Sequence, residues 1–147
     1  MNLNLKGQKV AVFGAANGIG RSIAEEFLAE ACDVVGFDRT TDAKPLKAPG
    51  DIVAGDVTSF EAVQAFARAH PDTRHVIYCV GAGSGKFGFP FWNLNPSDWS
   101  KVMEVNLIGA VNVAHAFAPE LINHGSGSLL FLVSVAGQIG SPTNPPY

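Results

Sequence analysis

Basic charge is scarce in this chain, cysteine is scarcer, and long apolar runs are missing. Ten Lys and Arg stand against 13 Asp and Glu, a formal net charge of −3. That leaves too little positive surface for a nucleic-acid footprint, so no nucleic-acid partner is expected. Two cysteines, Cys32 and Cys79, support neither a disulfide framework nor a zinc site, and the expected compartment is a reducing cytoplasm. The four histidines (His70, His75, His115 and His124) lack ligand spacing; each reads as a surface or helix-end residue, and no metal is expected. The longest unbroken apolar runs, 76–80 and 129–133, are five residues each. A membrane helix needs about 20, so no span and no membrane partner are expected. The first ten residues lack the apolar stretch of a secretory signal.

What is present is apolar. Hydrophobic residues make up 47% and charged residues 16% of 147 positions, which excludes a disordered chain and suits one domain with a substantial core. Short β-branched runs alternate with segments of helical period. Lys9–Phe13 reads as a strand and 14–20 as a glycine-rich turn. Ile19, Ile23, Phe27 and Ala31 then form the stripe of a packed helix. Strands follow at 33–37, Asp51–Ala54, 75–80 and 128–133. A helix opens at Thr58 with Glu61 in capping-box spacing, its apolar face Phe60, Val63, Phe66 and Ala67. Another opens at Asn95-Pro96 and runs, as one helix or two, to about His124 before Gly125, with Pro119 expected to kink it near His115. Alternating strands and helices predict α/β architecture: a doubly wound parallel sheet in three layers.

Ligands of such sheets bind beyond the carboxyl ends of the strands. Gly14, Asn17, Gly18, Ile19 and Gly20 occupy such an end, between strand and helix. There glycine permits close approach of backbone to a pyrophosphate, and a helix N-terminus offers amide donors. Asp38, 18 residues after Gly20, is placed to accept hydrogen bonds from both adenosine ribose hydroxyls and to repel a 2′-phosphate, which favours NAD. Arg39 beside it argues for NADP, so that alternative stays open. Trp99, Met103, Asn106, Ala110, Val113, Phe117 and Leu121 step by three or four, which sets Asn106 inside an apolar stripe. An unpartnered buried amide costs about 1–3 kcal/mol, so Asn106 needs either a structural partner or a function.

The glycine spacing resembles the short-chain dehydrogenase/reductase family, whose turn reads Thr-Gly-x-x-x-Gly-x-Gly; Phe13 stands in place of the threonine. The resemblance extends along nearly the whole chain. Asp56-Val57 matches a pair set against the adenine, and residues 78–81 hold the Asn-Asn-Ala-Gly position, keeping only Gly81. Asn106 and Gly109 match Asn-x-x-Gly. Ser134 and Tyr147, 13 residues apart, match the catalytic serine and tyrosine. The resemblance implies a Rossmann-type NAD(P)-binding domain over 1–147 and hydride transfer between a nicotinamide cofactor and a small secondary alcohol or ketone. Tyr147 would be general acid/base, Ser134 would orient the substrate oxygen, and Asn106 would hold a relay water. It also implies a homodimer or homotetramer paired through the Asn106 helix and its successor.

A free tyrosine has a pKa near 10, and bringing it to neutrality requires roughly 4 kcal/mol of differential stabilisation. Similar enzymes use a lysine four residues after the tyrosine, a position past residue 147. With about five strands where the family builds six or seven, the expectation is a chain truncated at the catalytic tyrosine and, taken alone, inactive or nearly so. A non-catalytic nucleotide-binding or regulatory protein on the same fold is the alternative. The aromatic loop 83–92 is expected either to wall an apolar substrate pocket, through Phe87, Phe89, Phe91 and Trp92, or to pack on neighbouring structure. Lys44 and Lys47 are expected to be solvated.

Overall fold

A computed structural model describes residues 3–40, 46, 50–88, 90–139 and 145–147; Lys44, Lys47 and Phe89 lie outside them. Five strands form one parallel sheet: β1 (Lys9–Phe13), β2 (Asp33–Asp38), β3 (Asp51–Ala54), β4 (Thr73–Tyr78) and β5 (Ser128–Phe131), in the order β3-β2-β1-β4-β5. The order reverses between β1 and β4, the position where a doubly wound sheet opens a crevice. The fold is Rossmann-like.

Side chains of β1 alternate between two cores. Ala11 and Phe13 join Val35, Phe37, Phe66, Tyr78, Val113 and Phe117 on one face. Val10 and Val12 join Val34, Ala24 and Ile77 on the other. Helix α1 (Gly18–Ala29) covers the second face, while α2 (Phe60–Ala69) packs with the long C-terminal helix on the first. Burial on both faces explains why β1 and β2 read as continuous apolar runs.

The helices depart from their expected registers in ways that matter for the site. In α1 the buried line is Gly20 and Ala24; Ile19, expected in the core stripe, is 61% exposed. The helix ends at Ala29, leaving Ala31 at φ +59° beyond it. The N-cap of α2 is Ser59, whose hydroxyl accepts from the Ala62 amide, not Thr58. Thr58 instead donates to Asp56 through both its amide and its hydroxyl.

The run Pro96–His124 is 29 residues of helix, divided into α3 (Pro96–Met103), a wider turn at Glu104–Ile108 and α4 (Gly109–His124). At its start the Asn95 amide donates to Asp98 Oδ2 at 2.8 Å. At its end Gly125 takes a left-handed cap. The wide turn holds one more residue than an α-helical turn, so the stripe slips: Val102 is buried and Met103 exposed. By length and apolar composition alone this run is one that could cross a membrane, a property that unbroken apolar runs do not reveal. In the fold it lies against α2, β4 and β5.

β4 begins two residues earlier than expected and β5 ends at Phe131, so Ser134 lies beyond the strand. Of the histidines, His70 caps α2, His115 stacks on Phe60 and His124 ends α4. His75 lies on β4, bridged between Gln8 and Ser128.

Candidate functional site

The site is assembled where backbone hydrogen bonding continues past the strand ends. The Gly14 amide donates to the Phe37 carbonyl at 2.8 Å, and the Cys79 amide to that of Phe13 at 2.9 Å. These bonds hold the glycine turn between the ends of β2 and β4. Gly14 adopts φ +84°, a conformation that disfavours a side chain. A Cβ at Gly20 would meet the Gly14 carbonyl group and Cys79 Cβ, so helix and turn pack backbone to backbone. Asn17 caps α1 in extended conformation with no hydrogen bond from its side chain, which leaves the first helical amides without a side-chain acceptor from the cap.

Asp38 closes the turn from the side. Its Oδ2 accepts from the Ala16 amide at 2.9 Å and its Oδ1 from the Thr40 amide at 3.2 Å. Both carboxylate oxygens are thereby oriented, and each retains a lone pair. Asp56 lies in the connection between β3 and α2. Hydrogen bonds from the Thr58 amide and hydroxyl hold its carboxyl below the usual carboxylate range, with a smaller contribution from the Arg39 charge. Val57 is buried in the core, and its carbonyl accepts from Asn112 Nδ2 at 2.9 Å.

A cleft of about 720 Å³ runs along the carboxyl ends of β4 and β5. Ile19, Gly81, Asn106, Ser134 and Tyr147 all line it, with Leu107, Leu132 and Val133 supplying apolar wall. Five of the residues picked from sequence thus share one surface. Gly14 and Asn17 lie in the turn beside it, Gly18 and Gly20 open α1 and Asp38 ends β2; Asp56 and Val57 lie outside the cleft lining. Asn106 has its structural partner: Oδ1 accepts from the Ala82 amide at 2.8 Å, and Nδ2 donates to the Ala82 carbonyl at 3.0 Å. The Ser134 hydroxyl oxygen accepts from the Ala136 amide at 3.1 Å. Tyr147 is 44% exposed.

The described aromatics of the 83–92 loop do not line this cleft. Phe87 and Trp92 are exposed, Phe91 stacks edge-on against Trp99, and Lys86 pairs with Asp98 at 2.7 Å. Sequence reasoning missed Ala82, which contributes only backbone, and Tyr78, whose hydroxyl donates to the Val105 carbonyl. The one available signal for Tyr78 was its departure from the family's asparagine.

A model of the short chain dehydrogenase family matches residues 8–147. The chain is 29% identical over 147 residues to an uncharacterized oxidoreductase of Staphylococcus epidermidis, covering 95% of this chain and 64% of that protein. It is 30% identical over 149 residues to acetoacetyl-CoA reductase of Synechocystis, covering 100% and 61% respectively. Among solved structures it superposes on aldohexose dehydrogenase of Thermoplasma acidophilum with a TM-score of 0.84 and 25% identity, covering 98% of this chain and 56% of that one. The chain therefore spans under two thirds of the length of these relatives. With a match running from the first strand through Tyr147, and a glycine turn, asparagine clamp and cleft arranged at the switch point of the sheet, the chain belongs to the short-chain dehydrogenase family.

Proposed function

We propose that the full-length protein transfers a hydride between a nicotinamide dinucleotide, NAD in preference to NADP, and the carbinol or carbonyl carbon of a small secondary alcohol or ketone. The observation that carries this reading is the cleft shared by Ile19, Gly81, Asn106, Ser134 and Tyr147 beside the glycine turn. The turn fits a pyrophosphate, because any Cβ at Gly20 would fill the space that lets backbone approach backbone. Asp38, oriented by Ala16 and Thr40, fits a ribose diol and disfavours a 2′-phosphate.

When bound, the nicotinamide supplies the hydride donor or acceptor. In this reading Tyr147 exchanges the proton with the substrate oxygen, and the Ser134 hydroxyl hydrogen-bonds that oxygen and fixes its direction. Asn106, committed through its side chain to Ala82, contributes by fixing the wall against which relay water is held. A homodimer or homotetramer paired through the Pro96–His124 run belongs to the same proposal.

The test uses the full-length protein with Tyr147→Phe and Ser134→Ala. Turnover is expected to fall by roughly 10²–10⁴-fold with dinucleotide affinity kept within about threefold. Turnover retained by Tyr147→Phe would overturn the proposed role.

A further inference from the structure

Two departures from the family's pattern face each other. Phe13 stands where the glycine turn is preceded by threonine, and Tyr78 stands where the next segment begins with asparagine. The two are register partners across β1 and β4. Both are buried, with ring centroids 6.4 Å apart and planes inclined at 29°. An aromatic pair thus occupies the place of two polar residues, inside a cluster completed by Phe37, Phe66 and Phe117.

The Tyr78 hydroxyl then reaches out of the cluster and donates to the Val105 carbonyl at 2.6 Å. In an α-helix that carbonyl would receive the Gly109 amide. Here the Gly109 amide donates to Glu104 instead, one residue further back, because Glu104–Ile108 forms the wider turn. The displaced carbonyl needs a donor, and the phenol supplies it. Burial pushes the Tyr78 pKa up, so the hydroxyl keeps its proton. Gly109 belongs to the same arrangement: a Cβ there would come within 2.5 Å of the Tyr78 hydroxyl and 2.8 Å of Val57 Cγ2. The residue after Val105 is Asn106, whose amide clamps both backbone groups of Ala82 at the edge of the cleft.

We propose that Tyr78 is a positioning residue: by donating its hydroxyl to the Val105 carbonyl it holds the wide turn that aims Asn106 at Ala82, and so sets the cleft wall beside Gly81. The kinetic consequence rests on the proposed oxidoreductase function; the structural consequence does not.

The experiment uses the full-length protein with Tyr78→Phe, which keeps the ring and removes the hydroxyl. Hydrogen exchange of the Ala82 amide and of the amides of 105–109 is expected to speed up about tenfold, the factor for one lost hydrogen bond of ~1.4 kcal/mol. The Gly14 amide, bonded to Phe37 on the far side of the turn, is expected to exchange as before. With dinucleotide and an alcohol substrate, kcat is expected to fall by a similar factor while KM and dinucleotide affinity stay within about twofold. A merely structural loss would not split kcat from KM in this way. Gly109→Ala provides a second variant: it displaces the hydroxyl, so its effect on Ala82 exchange is expected to shrink in the Tyr78→Phe background. Unchanged exchange at Ala82 in Tyr78→Phe, or faster exchange with kcat unaltered, overturns the proposal. If the parent protein shows no turnover, the oxidoreductase reading fails, and the exchange data alone still decide whether the hydroxyl holds the turn.

Discussion

Gly18 and Gly20 stand two residues apart in one turn and are glycine for different reasons. Gly18 adopts φ +56° with open space where a Cβ would lie. Its replacement by alanine meets only backbone strain, of roughly 1–2 kcal/mol. Gly20 has ordinary helical geometry, but a Cβ there would lie 2.9 Å from the Gly14 carbonyl carbon and 3.1 Å from Cys79 Cβ. Neither neighbour can rotate away, one being a backbone carbonyl and the other a Cβ fixed to its own backbone. Gly20→Ala is therefore expected to cost about 1–3 kcal/mol of stability by overpacking and to weaken dinucleotide binding more than Gly18→Ala does. Chemical denaturation and calorimetric titration of the two variants check the order. Equal loss of affinity would show that the close approach at Gly20 is not what shapes the turn. Asp38 is likewise defined by its neighbours: the Ala16 and Thr40 amides make a strand-end acid into an oriented acceptor.

At the level of elements, strands β1 and β3 have the bounds the residue pattern predicts, because runs such as Lys9–Phe13 leave no alternative period. The apolar face of α2 was also legible, with Val63, Phe66 and Ala67 buried. Two helices were misread for physical reasons. The stripe of α1 runs through its largest side chains, of which Ile23 and Phe27 do pack on the second core, but the fully buried positions are Gly20 and Ala24, small enough for close packing, and Ile19 is exposed. The stripe of the long helix was drawn as if every turn were α-helical. The extra residue in Glu104–Ile108 moves Val102 inward and Met103 outward, and the structure shows it in the Gly109 amide bonded to Glu104 and the Val105 carbonyl bound by Tyr78. Asn106 was identified from the cost of a buried amide, and that cost is met by Ala82. The partner itself is not legible in the sequence, since a backbone amide and carbonyl carry no residue signal. Ser134 and Tyr147 reach the cleft from segments without strand pairing, so pattern alone could not have placed them.

At the scale of the whole molecule, two cores flank the sheet, and the α1 side is covered unevenly. Leu130, register partner of the buried Ile77, is 49% exposed, and Val133 beyond it is 84% exposed. The apolar wall of the cleft continues into this surface. Stability should depend on pH through the opposite, amino-terminal rim of the sheet. His70 and His75 are both held below the ordinary histidine range, chiefly by burial, with the Lys9 charge adding to the effect at His70. The unfolded chain therefore binds protons more readily, and stability is expected to fall as pH drops below about 6.5. His75→Gln is expected to flatten that slope, as read by thermal unfolding between pH 5 and 7; an unchanged slope would remove His75 from the account. The central claim concerns the other end of the sheet, and calorimetric titration of the full-length protein with NAD and NADP tests it most directly. Saturable binding of NAD at least about tenfold tighter than NADP is expected, corresponding to ~1.4 kcal/mol from the Asp38 carboxylate. Binding of neither dinucleotide would contradict it.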